Sequence, residues 1–112
     1  MKGKLMSNHL SIEEIKRKAI PIAEKYNLKD LYLYGSYARG DADIDSDLDL
    51  MADTDGSKAT GLKFISCILD FEDAFNRKVD LTPFYVIKNP DDEISRKFAS
   101  IVMSERIKLY ER

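Results

Sequence analysis

The sequence predicts an α+β fold, a mixed sheet of about four strands with helices packed on one face. Three observations lead there. Short apolar or alternating runs at 31–34, 47–52 and 79–84 have the length and period of strands, and an alternating tail at 106–110 supplies one more. Longer segments with apolar residues at helical spacing lie between them, at 11–26, at 60–76 and after Asn89. A chain of 112 residues, 44% hydrophobic and 34% charged, supports a single core, and so a single domain at 11–112.

Residues 1–10 read as a flexible N-terminal segment without the apolar stretch of a signal peptide. His9, the only histidine, has no Cys or His nearby with which to share a metal, and is given no role. Ser11 followed by Glu14 is a capping box that opens the first helix. Ile12, Ile15, Ala19, Ile22 and Ala23 form its core-facing stripe, and Pro21 inside it predicts a kink or local break. Leu31-Tyr32-Leu33-Tyr34 is a buried strand, Gly35-Ser36 a turn, and a short helix starts at Tyr37. Residues 41–46 form a polar loop before the second strand, and Asp53-Thr54-Asp55-Gly56-Ser57 is a turn by composition. In the second long helix Leu62, Ile65, Leu69 and Phe75 lie at helical spacing, with Ile68 and Phe71 to the side. Cys67 in that segment reads as a small core residue. Pro83 cannot donate to a ladder, so the third strand ends or lies at an edge there. Acids at 91–93 open the third helix, with Ile94, Phe98, Ile101 and Val102 as its stripe.

The chemistry is concentrated between Gly35 and Leu50. A Gly-Ser pair straight after a strand turns backbone N–H groups outward, and a helix starting there adds its positive end, a combination that seats phosphate. Five aspartates follow between Asp41 and Asp49. In Asp47-Leu48-Asp49-Leu50 the strand period sends both aspartates to one face and both leucines to the other. Two such carboxylates repel unless a cation lies between them, and the hard cation for carboxylate oxygens is Mg²⁺. Asp80, between Val79 and Leu81, obeys the same alternation on another strand. If the two strands are neighbours, all three carboxylates converge. A phosphate cradle beside a divalent-metal clamp describes a site for a nucleoside triphosphate.

Charge and composition exclude other classes. The net charge of −2 includes seven aspartates at 40–55, where there is no Lys or Arg; without those seven negative charges the chain would carry +5. No basic stripe follows a phosphate backbone, so direct nucleic-acid binding is not expected. No run approaches the roughly 20 apolar residues of a membrane span. One cysteine makes no internal disulfide and fits a reducing compartment, so the expected location is cytoplasmic. Asp43-x-Asp45-x-Asp47 opens like a calcium loop, but Leu48 stands where glycine is needed and Thr54 where glutamate is needed.

Gly35-Ser36, ten intervening residues, Asp47-x-Asp49 and a third acid at Asp80 resemble the DNA polymerase β-type nucleotidyltransferase superfamily. Tyr37-Ala38-Arg39-Gly40-Asp41-Ala42 and Ser46 are similar to its minimal nucleotidyltransferase branch. The likeness covers nearly the whole chain and implies a nucleotidyltransferase core. It implies that Gly35 and Ser36 hold the β- and γ-phosphates, with Arg39 a weaker candidate for phosphate contact or for pinning the acidic loop. It implies that Asp47, Asp49 and Asp80 are the catalytic and metal-binding acids for two Mg²⁺ ions, with ATP as substrate. Proteins of this branch imply a further step, transfer of AMP to a tyrosine hydroxyl of a helical HEPN-domain toxin partner that the nucleotidyltransferase silences as an antitoxin. Two alternatives stay open: a small-molecule acceptor such as an aminoglycoside, or a catalytically silent antitoxin that only binds its partner.

Overall fold

The computed structural model describes residues 10–112. Its elements are α1 (Ile12–Lys25), β1 (Asp30–Tyr34), α2 (Ser36–Arg39), β2 (Leu48–Asp53), α3 (Leu62–Phe75), β3 (Val79–Pro83), α4 (Tyr85–Lys88), α5 (Glu93–Glu105) and β4 (Ile107–Glu111). The four strands lie in the order β3-β2-β1-β4. β1 pairs antiparallel with both β2 and β4, whereas β2 and β3 are parallel. A parallel pair needs a crossover, and α3 supplies it. Pro83 is the last residue of β3, an edge strand, as its missing N–H requires.

Local signals set the helix starts. Ser11 Oγ accepts from Glu14 N–H at 3.1 Å and caps α1. Asp92 caps α5 in the same way, accepting from Ser95 N–H at 2.6 Å. α1 continues through Pro21 instead of breaking there. Pro21 lies on the exposed side, where water can serve the carbonyl that its ring leaves unpaired. Leu10, read from sequence as the end of the N-terminal segment, is buried in the core. Residues 1–9 of that segment, with His9, lie outside the described residues.

The main core lies between one sheet face and helices α1 and α3. Leu31, Leu33, Leu48, Leu50, Val79, Leu81 and Leu109 meet Ile15, Ala19, Ala23, Cys67, Phe71 and Phe75. In α3 the stripe expected from sequence holds at Phe75 and fails at its other three positions. Cys67, Phe71 and Phe75 are buried, while Leu62, Ile65 and Leu69 are exposed. The helix is apolar on more than one side, so spacing alone does not choose the face; the crossover direction does. The start of α1 also faces outward, leaving Ile12 exposed, and its buried stripe begins at Ile15.

Helices cover part of the second sheet face as well, which corrects the expectation of helices on one face only. Tyr32, Tyr34 and Met51 pack there against Ile87 of α4 and Ala99 and Val102 of α5. β1 alternates leucine with tyrosine, so both its faces are apolar and both need cover. On α5 it is Ala99 and Val102 that reach the sheet, while Ile94 and Ile101 stay exposed. The uncovered remainder of this face holds the site.

Candidate active site

β1 ends at Tyr34, and the chain turns sharply at Gly35, with φ +77° and ψ −155°. A Cβ on Gly35 would overlap Oδ2 of Asp49, so only glycine admits this approach. The short helix α2 follows at once. Among the described residues, the N–H and hydroxyl of Ser36 bond to no other residue, which leaves both donors open. The acidic loop folds on itself: Asp43 Oδ1 accepts from Asp45 N–H at 2.9 Å, and Ser46 Oγ accepts from Asp43 N–H at 2.8 Å. Asp41 pairs with Arg39 Nε at 3.2 Å.

Asp49 and Asp80 are register partners on the parallel strands β2 and β3, so both project from the same sheet face. They line a cavity of about 460 Å³ together with Gly35, Ser36, Arg39 and Glu105. Tyr34, Phe98, Ile101 and Val102 form its apolar wall. The Tyr34 hydroxyl lies 3.1 Å from Thr82 Oγ1, and its ring meets Phe98 edge-on at 6.0 Å. Burial, reinforced by the carboxylates of Asp80 and then Asp47, pushes the carboxyl of Asp49 up to about 6. Arg39 opposes that shift, and Glu105 adds to it.

Asp47 is placed differently from the sequence expectation. β2 begins at Leu48, and Asp47 precedes it, exposed and outside the cavity lining. Among the described residues no three acidic, His or Cys side chains are gathered at metal-holding spacing. The donor set still suits a divalent cation: Asp49 and Asp80 face one cavity that Glu105 also lines, Asp47 lies near enough to raise the pKa of Asp49, and all offer hard oxygens.

Glu105 was not read from sequence. Its Oε1 accepts from Gly35 N–H at 2.9 Å, and Arg39 Nη1 lies 3.3 Å from each of its oxygens. One signal could have found it: it is an acid at the C-terminal end of a helix, where the macrodipole disfavours negative charge.

The profile of the nucleotidyltransferase domain family matches residues 15–109. Two proteins of Methanocaldococcus jannaschii are similar to the chain. One, named "Putative protein adenylyltransferase MJ0435", is 32% identical over 67% of this chain and 80% of its own length. The other, named "Putative protein adenylyltransferase MJ1379", is 37% identical over 70% of this chain and 81% of its own length. Among solved structures, a toxin-antitoxin with AMP-PNP superposes with a TM-score of 0.64 at 20% identity, covering 87% of this chain and 73% of that one. A mutant of the toxin-antitoxin MntA-HpeT superposes at 0.62 and 17% identity with the same coverages. At those identities the structural likeness is one of fold, whereas the sequence likeness reaches further. The chain belongs to the nucleotidyltransferase domain family and is an enzyme of the nucleotidyltransferase class.

Proposed function

We propose that the protein is a Mg²⁺-dependent adenylyltransferase that moves AMP from ATP to a hydroxyl of a partner protein, a tyrosine of a helical HEPN-type toxin. The observation that carries this reading is the pairing of Asp49 with Asp80 on one sheet face, in a cavity shared with Gly35-Ser36. The names of the two relatives support a protein acceptor, and the toxin-antitoxin neighbours support a toxin as that acceptor.

The reaction is an in-line displacement. The acceptor hydroxyl gives its proton to solvent, its oxygen forms a bond to the α-phosphorus, the bond from that phosphorus to the oxygen bridging to the β-phosphate breaks, and pyrophosphate leaves. Asp49 and Asp80 would hold Mg²⁺, with Asp47 just ahead of β2 as a further carboxylate, and the ion would supply the positive charge that the attacking and leaving oxygens require. Ser36 contributes its open N–H and hydroxyl to the β- and γ-phosphates. Gly35 contributes the absence of a Cβ, which lets the turn lie against Asp49. Arg39 brings a guanidinium to the same cavity, where it offsets charge on the triphosphate. The apolar wall of Tyr34, Phe98, Ile101 and Val102 excludes water from one side.

Incubation with α-labelled ATP, Mg²⁺ and the product of the neighbouring gene, the expected toxin, tests the reading. Label is expected on a toxin tyrosine, and its loss is expected with EDTA. An unlabelled toxin in the presence of active, Mg-ATP-binding protein overturns the acceptor assignment. An absence of metal-dependent nucleotide binding overturns the enzyme reading as a whole.

A further inference from the structure

Glu105 is the acid of the cavity that the transfer reaction leaves without a role. Its side chain is 16% exposed, and among the described residues its hydrogen-bond and ion-pair partners are Gly35 N–H and Arg39. It is also the last residue of α5, where the helix dipole adds no support to a carboxylate. A largely buried carboxylate in that position is stable only while its donors are held to it. The contact therefore orders both sides.

What it orders is the entrance to the phosphate subsite. Gly35 is fixed between two carboxylates. Asp49 lies where a Cβ would stand, and Glu105 accepts its N–H. Arg39 at the end of α2 is held by Asp41 through Nε and by Glu105 through Nη1, while Nη2 bonds to no other described residue. The donors left open toward a triphosphate are Ser36 N–H, Ser36 Oγ and Arg39 Nη2. Resting on the nucleotidyltransfer reading above, we propose that Glu105 is a positioning residue: it fixes the Gly35-Ser36 turn and Arg39 in the geometry that receives the triphosphate, without touching the nucleotide itself. The opposite account has Glu105 competing with phosphate for the same donors, and it predicts tighter nucleotide binding once the carboxylate is removed.

The test compares Glu105→Ala and Glu105→Gln with the wild type. Four quantities are measured: KM and kcat for Mg-ATP, the Kd of a non-hydrolysable ATP analogue, and hydrogen exchange of the Gly35 amide. Loss of a charge-assisted contact in Glu105→Ala is expected to raise KM and Kd about tenfold. The kcat is expected to change less than about threefold, since the reacting atoms are untouched. Glu105→Gln keeps an oxygen that accepts from Gly35 N–H, so part of the affinity returns and Gly35 exchanges more slowly than in Glu105→Ala. Unchanged or tighter analogue binding by Glu105→Ala overturns the proposal, as does an alanine-like Glu105→Gln. If the wild type itself neither binds the analogue nor transfers AMP, the proposed function fails, and Gly35 exchange alone then decides the positioning role. Faster exchange in Glu105→Ala upholds it, and unchanged exchange overturns it.

Discussion

Asp49 and Asp80 stand directly opposite one another on parallel strands, although 30 residues of sequence lie between them. Both side chains point away from the leucine core beneath them. Their substitution should therefore remove chemistry and spare the fold. Asp49→Asn and Asp80→Asn are each expected to lower the transfer rate by about 10²-fold or more, with far-ultraviolet dichroism unchanged. A labelled-ATP assay reads the loss, and near-normal transfer by either variant would remove that residue from the machinery.

The same crowding makes the metal-free protein sensitive to pH. Burial and the neighbouring carboxylates raise Asp49 from an ordinary 3.8 to about 6 in the folded state. The folded protein thus holds a proton that the unfolded chain releases. This contribution is fully present below about pH 3.8 and is lost as pH rises through about 6. At pH 7.5 in EDTA, Asp49→Asn is expected to be more stable than the wild type by about 1–2 kcal/mol, allowing for solvent screening of a half-buried group. Urea unfolding at pH 5 and pH 7.5 measures it, and a variant no more stable than the wild type at the higher pH contradicts it.

Gly35 and Gly40 offer a paired comparison. Both have positive φ, +77° and +87°, but a Cβ at Gly35 meets Asp49 and one at Gly40 meets nothing within 4 Å. Gly40→Ala is expected to cost only the backbone penalty, about 1 kcal/mol, with transfer retained. Gly35→Ala is expected to cost about 2 kcal/mol or more and to abolish transfer, because either the turn or the carboxylate must move. Thermal melts with paired activity assays would show it. Equal effects of the two substitutions would count against the close approach at Asp49.

Cys67 is fully buried between α3 and the sheet, and burial, with Asp70 adding to it, pushes its thiol up to about 12. The folded protein should resist thiol reagents at pH 8, and labelling should follow the urea unfolding curve. Rapid labelling under native conditions would place the thiol elsewhere.

Much of this molecule was legible along the chain. The Ser11 cap, the Leu-Tyr alternation of β1, Pro83 at a strand end and the acids before α5 each act within a few residues, so their elements fell close to the expected places. Gly35, Ser36, Asp49 and Asp80, picked out by type and spacing, line one cavity with Arg39, which the family resemblance suggested. Asp47 was harder to place, since the strand period holds only once ladder bonds begin at Leu48. The buried face of α3 was misread because Leu62, Ile65 and Leu69 match the helical period as well as Cys67 and Phe71 do.

By itself the sequence determined which segments coil and which extend, and where along them the acids and the glycine-serine bend occur. Those outcomes rest on caps, side-chain period and backbone sterics, all of them short-range. Tertiary structure alone decided that β3 lies parallel beside β2, which brings Asp80 to Asp49, and that α5 crosses the second sheet face. It alone carried Glu105 to a bend 70 residues earlier in the chain. Such meetings depend on which apolar faces find each other across the sheet, and no local pattern encodes that choice.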